Sequence, residues 1–257
     1  LVGSEMCIRD RGSIVAIFAG TKVEPIIKQL LTISAKKRAM VKEITLDMAN
    51  SMKTIAKTCF PKAIQVTDRF HVQKLALEAL QDIRIKHRWD AIDLENEAIK
   101  KARLTNQTYR PRLFSNGDTR KQLLARSRYL LYKAPSNWTK NQYERSKIMF
   151  QEYPDIKMAF NLVQGLRNIF NTTKSIEVAY TKLAHWYKDV EQSGFSAFNT
   201  IANTITLNYR SILNYFINRS TNASAESFNA KIKAFKAQFR GVRNVDFFLF
   251  RLTTIFA

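Results

Sequence analysis

Apolar and polar positions change rhythm along the chain. Residues 13–20, SIVAIFAG, are a short β-branched apolar run closed by glycine, which predicts a strand. Residues 22–34, KVEPIIKQLLTIS, bring apolar side chains back at helical spacing, with Pro25 where a first turn accepts it. VKEITLD (41–47) alternates and predicts a second strand ending at Asp47, and MANSMKTIAKTCF (48–60) a helix stopped by Pro61. AIQVTD (63–68) predicts a third strand ending at Asp68, and residues 69–103 one long helix or two. Strand–helix–strand–helix–strand–helix is the order of a parallel α/β layer.

From about 118 to 219 every stretch carries the helical period, with breaks expected at Pro135, Pro154, Asn171 and Gly194. A last helix is expected over 222–240, closed by Gly241 as a C-terminal glycine cap. On it Ala225, Phe228, Ile232, Phe235 and Phe239 recur at alternating three- and four-residue steps and form the buried stripe. Asn222, Glu226, Asn229, Lys233 and Arg240 fall on another face. The first dozen residues, LVGSEMCIRDRG, show no period and lack the apolar core of a leader peptide. They resemble a translated adapter string, so the authentic sequence is expected to begin near Gly12 or Ser13.

Composition narrows the partner. Lys and Arg total 42 against 21 Asp and Glu, a net charge of +21 with a pI near 10.1. A chain so cationic repels itself unless a polyanion is near, and nucleic acid is the usual one, ahead of an anionic membrane surface. With 46% hydrophobic residues it is no disordered basic tail. No apolar run is long enough to span a bilayer. Of two cysteines, Cys7 lies in the suspect stretch, and Cys59 alone supports neither a disulfide framework nor a zinc site, which fits a reducing cytosol.

Against that background the few acids stand out. Asp47 and Asp68 each close an apolar strand, and in open α/β sheets ligands gather beyond the carboxyl ends of strands. Each is equally readable as a strand-end or helix-start cap. Glu226 is the one acid of residues 220–244, amid Lys231, Lys233, Lys236, Arg240 and Arg243. It reads either as a helix-start acid favoured by the dipole and paired with Lys233 or an arginine, or as a third member of a carboxylate cluster. Such a cluster repels itself unless a divalent cation neutralises it, and hard oxygen donors suit Mg²⁺ or Mn²⁺. His71, three residues after Asp68, shares a helical face with it if a helix starts there. Arg126 and Arg128 beside Tyr129, and Trp138 with Lys140, Tyr143 and Arg145, interleave cations with aromatics. That pattern suits DNA contact or an aromatic core beneath a solvated charged face.

Four stretches, VKEITLDMANSM, FPKAIQVTDRFHVQKLALEALQDIR, NGDTRKQLLARSRYLLYK and RSTNASAESFNAKIKAFKAQFRGVRN, occur in this order. Together they closely resemble the bacterial DDE transposases of the ISL3 insertion-sequence group, over residues 13–257. The resemblance implies an α/β fold: an incomplete RNase H-like core of three parallel-type strands with helices, interrupted by a large all-α insertion. The expected partition is a tail at 1–12, the first part of the core at 13–110, the insertion at 111–219, and the final core helix with the C-terminal segment at 220–257. It further implies Mg²⁺-dependent (or Mn²⁺-dependent) strand cleavage and strand transfer at the ends of a mobile element. Asp47 would be the second acid of the triad and Glu226 the third, both holding metal, with Asp68 and His71 in an accessory motif. An alternative alignment makes Asp68 the second acid and Asp47 the accessory. The expected partners are DNA (element ends and target), contacted by Lys231, Lys233, Lys236, Arg240, Arg243, Arg126 and Arg128, and further copies of the chain. The expected location is the bacterial cytoplasm, at the nucleoid, with no membrane.

The family's first catalytic aspartate lies on a strand upstream of anything expected here. Only Glu5 and Asp10 precede the 13–20 strand, both in the suspect stretch, so an incomplete metal site is expected. Two function classes follow: a DNA-cutting and strand-transferring enzyme, inactive as this piece alone, or a basic helical DNA-binding remnant without catalysis.

Overall fold

The computed structural model describes residues 5–10, 13–19, 21–238, 244, 247–248, 250–251 and 254, with the backbone alone at 5–10, 13–17, 19, 224–226, 228 and 236. The chain forms two units, Leu1–Arg69 with Arg210–Ala257, and Phe70–Tyr209.

In the first unit β1 (Glu5–Asp10) pairs antiparallel with β2 (Ser13–Ala19), with a register shift between Ile8 and Arg9. Helix α1 (Val23–Leu30), a short α2 (Ala35–Arg38), β3 (Glu43–Leu46), α3 (Asn50–Cys59) and β4 (Ile64–Thr67) follow. Strands β3 and β4 pair in parallel from Glu43↔Ile64 to Leu46↔Thr67. The apolar stripes of α1 and α3 face each other: Ile26, Leu30, Ile55 and Cys59 are buried together, with Phe18 of β2 packed against them. Cys59 is a core residue whose thiol is pushed upward by burial, the charge of Arg38 acting in the opposite sense. Arg38 also ties the layer, donating to the carbonyls of Ile33 (3.0 Å) and Cys59 (2.6 Å).

The second unit is helical. It runs through α4 (Arg69–Leu104), α5 (Arg120–Arg126), α6 (Arg128–Leu131), a 3₁₀ turn at Pro135–Asn137, α7 (Lys140–Glu152), α8 (Pro154–Thr172), α9 (Ile176–Ser193) and α10 (Ser196–Leu207). Residues 69–103 therefore form one helix. The turn before α5 gives the NGDT stretch a structural meaning. Gly117 takes φ +78°, a conformation that favours glycine. Asn116 bonds both the amide and the carboxylate of Asp118, and Thr119 with Gln122 closes a capping box on α5. The Asp118 carboxylate is fully buried, and Arg126 and Arg145 both donate to it, the latter at 2.9 Å. Burial would raise its pKa, but hydrogen bonds and charge from Arg145 and Arg126 outweigh burial and hold it below the usual carboxylate range.

Aromatics join aliphatic side chains such as Leu123, Leu130 and Leu166 in this core. Trp138, Phe150 and Phe160 pack ring to ring, and the indole N–H of Trp138 donates to the Leu130 carbonyl. Trp186 is buried and donates to the Leu162 carbonyl.

The chain then returns to the first unit through α11 (Tyr209–Asn218) and α12 (Ala223–Gln238). One polar stripe fastens this segment to the parallel strands. The Ser211 and Thr67 hydroxyls share a hydrogen bond of 2.8 Å. The Asn214 amide donates to the Gln65 carbonyl and the Asn218 amide to the Glu43 carboxylate, both at 2.9 Å. Thr67 is fully buried.

Several expectations are corrected. The parallel layer of three strands reduces to β3 and β4. Strand β2 pairs antiparallel with β1, inside a stretch expected to carry no element. Pairing with the immediate chain neighbour closes a much shorter loop than a crossover does. The breaks expected at Pro154 and Asn171 hold: α7 gives way to α8 at Pro154, where a missing N–H costs nothing, and α8 ends one residue past Asn171, at Thr172. Gly194 ends α9 at φ +69°, as expected. Gly241, proposed to cap α12, lies outside the described residues. The unit boundaries fall at 69/70 and 209/210, while the breaks expected at 110 and 219 fall in the loop before α5 and just after α11. Helix α4 joins the helices because buried Arg84 donates to the Leu124 carbonyl and Gln81 to that of Arg128.

Two sets of substitutions probe these fastenings. Asp118→Asn leaves Arg145 facing a neutral partner in the interior and should cost about 3 kcal/mol at neutral pH by urea denaturation. The native carboxyl titrates below the unfolded one, so this stabilisation is present above pH ~4 and lost as pH falls through the native value. The gap between wild type and variant should close in that direction. Thr67→Val and Ser211→Ala should each cost about 1 kcal/mol, the double variant less than their sum.

Candidate functional site

Because Leu46 and Thr67 are partners in the parallel ladder, the next residues, Asp47 and Asp68, leave neighbouring strands at the same edge. The Asp68 N–H donates to the Leu46 carbonyl at 3.0 Å, carrying the ladder one step further. Both acids therefore stand at the carboxyl ends of paired parallel strands.

Their surroundings differ. Asp47 is half-buried and turns one oxygen back on its own loop, where Oδ1 accepts from the Ala49 N–H at 2.9 Å. Asp68 is only 2% exposed, and its Oδ2 accepts from the backbone N–H of Asn222 at 2.7 Å. Asn222 immediately precedes α12, so the Asp68 carboxylate sits at that helix's positive end. Glu226 lies four residues on, about 6 Å along the axis at 1.5 Å per residue. The backbone thus brings the segment bearing the third expected acid to the strand edge holding the first two. The Glu226 side chain lies outside the described ones.

His71 is half-buried in the first turn of α4, edge-on to Phe70 at 5.7 Å between centroids. Among the described residues no three His, Cys, Asp or Glu side chains group as a metal site.

The expected DNA-contacting cations divide. Lys231 and Lys233 are exposed on α12. The Lys236 side chain, Arg240 and Arg243 lie outside what is described. Arg128 is exposed with its guanidinium 5.5 Å from the Tyr129 ring centroid. Arg126 is bound to Asp118, as is Arg145. Tyr143 is exposed with the Lys147 ammonium 4.4 Å from its ring centroid, whereas Trp138 belongs to the core. On α12, Ile232 is buried and Phe235 stacks on Phe248 at 5.5 Å, in keeping with the apolar stripe, while Ala225, Phe228 and Phe239 lie outside the described side chains.

Sequence reasoning missed the stripe that delivers α12. Ser211, Asn214 and Asn218 follow one another at steps of three and four, the spacing of a single helix face, and the Asn222 backbone lies just beyond. A polar stripe opposite the apolar Ile212, Leu213 and Phe216 was the available signal.

Comparison with known proteins identifies the family. Described as a transposase family, the ISL3-type DDE transposases match residues 3–252. The transposase for insertion sequence element IS1001 of Bordetella parapertussis is 23% identical over 219 residues, 84% of this chain and 48% of that protein. The transposase for insertion sequence element IS1557 of Mycobacterium tuberculosis is 28% identical over 144 residues, 54% of this chain and 31% of that protein. The chain thus spans half or less of the length of these curated relatives. No solved structure matches it. Among the described residues no helix is long and apolar enough to cross a membrane. The chain belongs to the ISL3 family of DDE transposases.

Proposed function

We propose that this chain supplies much of the catalytic region of an insertion-sequence transposase that cleaves DNA at the element's ends and transfers the strands to a target. The observation that carries the reading is the meeting of Asp47, Asp68 and the start of α12 at one strand edge, in a family of DDE transposases. The first unit, built from two separate chain segments, is read as an RNase H-like core, and the helical Phe70–Tyr209 as its insertion.

The donor set fits a hard divalent cation: Asp47 is half-buried, its Oδ1 engaged by a backbone N–H of its own turn, and Glu226 is carried to the same edge. Asp47 and Glu226 would hold Mg²⁺ or Mn²⁺, and His71 would lie beside the scissile phosphate. When bound, the cation supplies positive charge against the charge that develops as water or a 3′-hydroxyl attacks a phosphodiester in line. The chain's own part is to hold the polyanion. Lys231, Lys233, Lys236, Arg240 and Arg243 follow Glu226 closely enough to seat DNA next to it, and Arg128 is read as a further cation for DNA. Arg126 is assigned to Asp118 instead. The working form is read as an assembly of several copies on two element ends, at the nucleoid.

The test assays Mg²⁺-dependent cleavage of element-end duplexes, with the reading frame that precedes the chain in its genome appended. Asp47→Asn and Glu226→Gln should each slow cleavage by about a hundredfold or more, the scale for removing an electrostatic stabiliser, while duplex affinity stays near wild type. Lys231→Ala with Lys233→Ala should lower the slope of log affinity against log salt by about 0.9 for each phosphate no longer neutralised. Unchanged cleavage in both acid variants overturns the site. Salt-sensitive binding with no cleavage by any form favours the non-catalytic DNA-binding remnant.

A further inference from the structure

We propose that Asp68 is a positioning residue and not a metal ligand: its buried carboxylate holds the start of α12, and with it the backbone of Glu226, at the carboxyl ends of β3 and β4. The inference rests on the proposed function for the identity of the ligands, but its geometry stands apart from it.

The two strand-end aspartates occupy opposite circumstances. Asp68 is 2% exposed, and its Oδ2 is engaged by the Asn222 N–H at 2.7 Å. A charge-assisted hydrogen bond to a donor at a helix start is among the stronger polar contacts a carboxylate makes. Its own backbone is pinned by the bond to the Leu46 carbonyl, and the preceding Thr67 hydroxyl is bound to Ser211. Asp68 is thus the last of four fastenings, after Glu43 with Asn218, Gln65 with Asn214 and Thr67 with Ser211. Of these four, it is the one that reaches past α11 to α12. Asp47 is placed differently: its Oδ1 accepts from Ala49, two residues away, and the residue meets solvent. A ligand must present oxygen to an ion, which suits Asp47. A brace must be desolvated and rigid, which suits Asp68.

The two roles respond differently to one substitution. Asparagine keeps an acceptor oxygen in the same place but removes the charge. A brace survives Asp68→Asn and fails on Asp68→Ala, whereas a ligand fails on both. Hydrogen exchange of the whole 257-residue chain, without metal, reads the brace in peptides covering 220–228. Asp68→Ala should speed exchange there by about tenfold or more, Asp68→Asn by less than about threefold, and Asp47→Asn should leave it unchanged. Where Asp68→Ala fails to fold, Asn222→Pro removes the donor instead, leaves the carboxylate intact, and should speed exchange over 223–228. Mn²⁺ titration followed by electron paramagnetic resonance reads the ligands: Asp68→Asn should bind as wild type does, and Asp47→Asn about tenfold or more weakly. Exchange unaltered in Asp68→Ala, or in Asn222→Pro where that variant stands in, overturns the brace. A fall in Mn²⁺ affinity in Asp68→Asn equal to that in Asp47→Asn, with exchange unaltered, makes Asp68 a ligand. Absence of Mn²⁺ binding by the wild-type chain would sink the metal reading alone, since exchange still decides whether Asp68 holds α12.

Discussion

A single buried carboxylate joins two pieces of chain separated by more than 150 residues. Asp68 accepts a hydrogen bond from the Asn222 backbone, and the first unit depends on that kind of closure because its strands and its last helices come from opposite ends of the sequence. A 140-residue helical unit lies between them along the chain. Bringing residue 222 back to residue 68 carries a loop-closure cost that grows only slowly with loop length, so a long intervening unit is tolerated if the closing contacts are specific. They are specific here. Side-chain amides and hydroxyls at helical spacing meet Gln65 and Thr67 of β4 and Glu43 of β3.

Polar fastening suits a place where chemistry has to happen. The apolar core of the first unit, around Ile26, Leu30, Ile55 and Cys59, lies among α1, α3 and β2. The strand edge bearing Asp47 and Asp68 is held by hydrogen bonds instead. Apolar packing tolerates sliding by fractions of an ångström, whereas hydrogen bonds with fixed donors and acceptors do not. Groups meant to share an ion or a phosphate need the latter precision.

Elements with a strong period were legible in the sequence: α1, α3, β3, β4, α4, and the helices from α5 to α12. Legibility failed where the deciding term was not periodic. Nothing in SIVAIFAG tells whether its edge meets a parallel or an antiparallel neighbour, because both bury the same side chains. The helix breaks at Pro154 and Asn171 were legible, since α8 begins at Pro154 and ends at Thr172. The acids Asp47 and Asp68 were visible as strand-end residues, yet their difference in burial arises from α12, whose leading residue Asn222 lies 154 positions from Asp68. The amide stripe of α11 was written plainly, but apolar periodicity draws attention to the opposite face.

Charge counting points to a polyanion but says nothing of which cations meet it, for one reason. An excess of 42 cations over 21 acids is a property of the whole chain, while each guanidinium answers to its nearest carboxylate. Asp118, taken out of water, requires cations, and it takes Arg126, which sequence alone placed among the DNA contacts, together with Arg145. A buried acid thus engages cations that still meet solvent: the Arg126 side chain is 55% exposed. Lys231 and Lys233 are exposed on α12, in a stretch of sequence where Glu226 is the one acid.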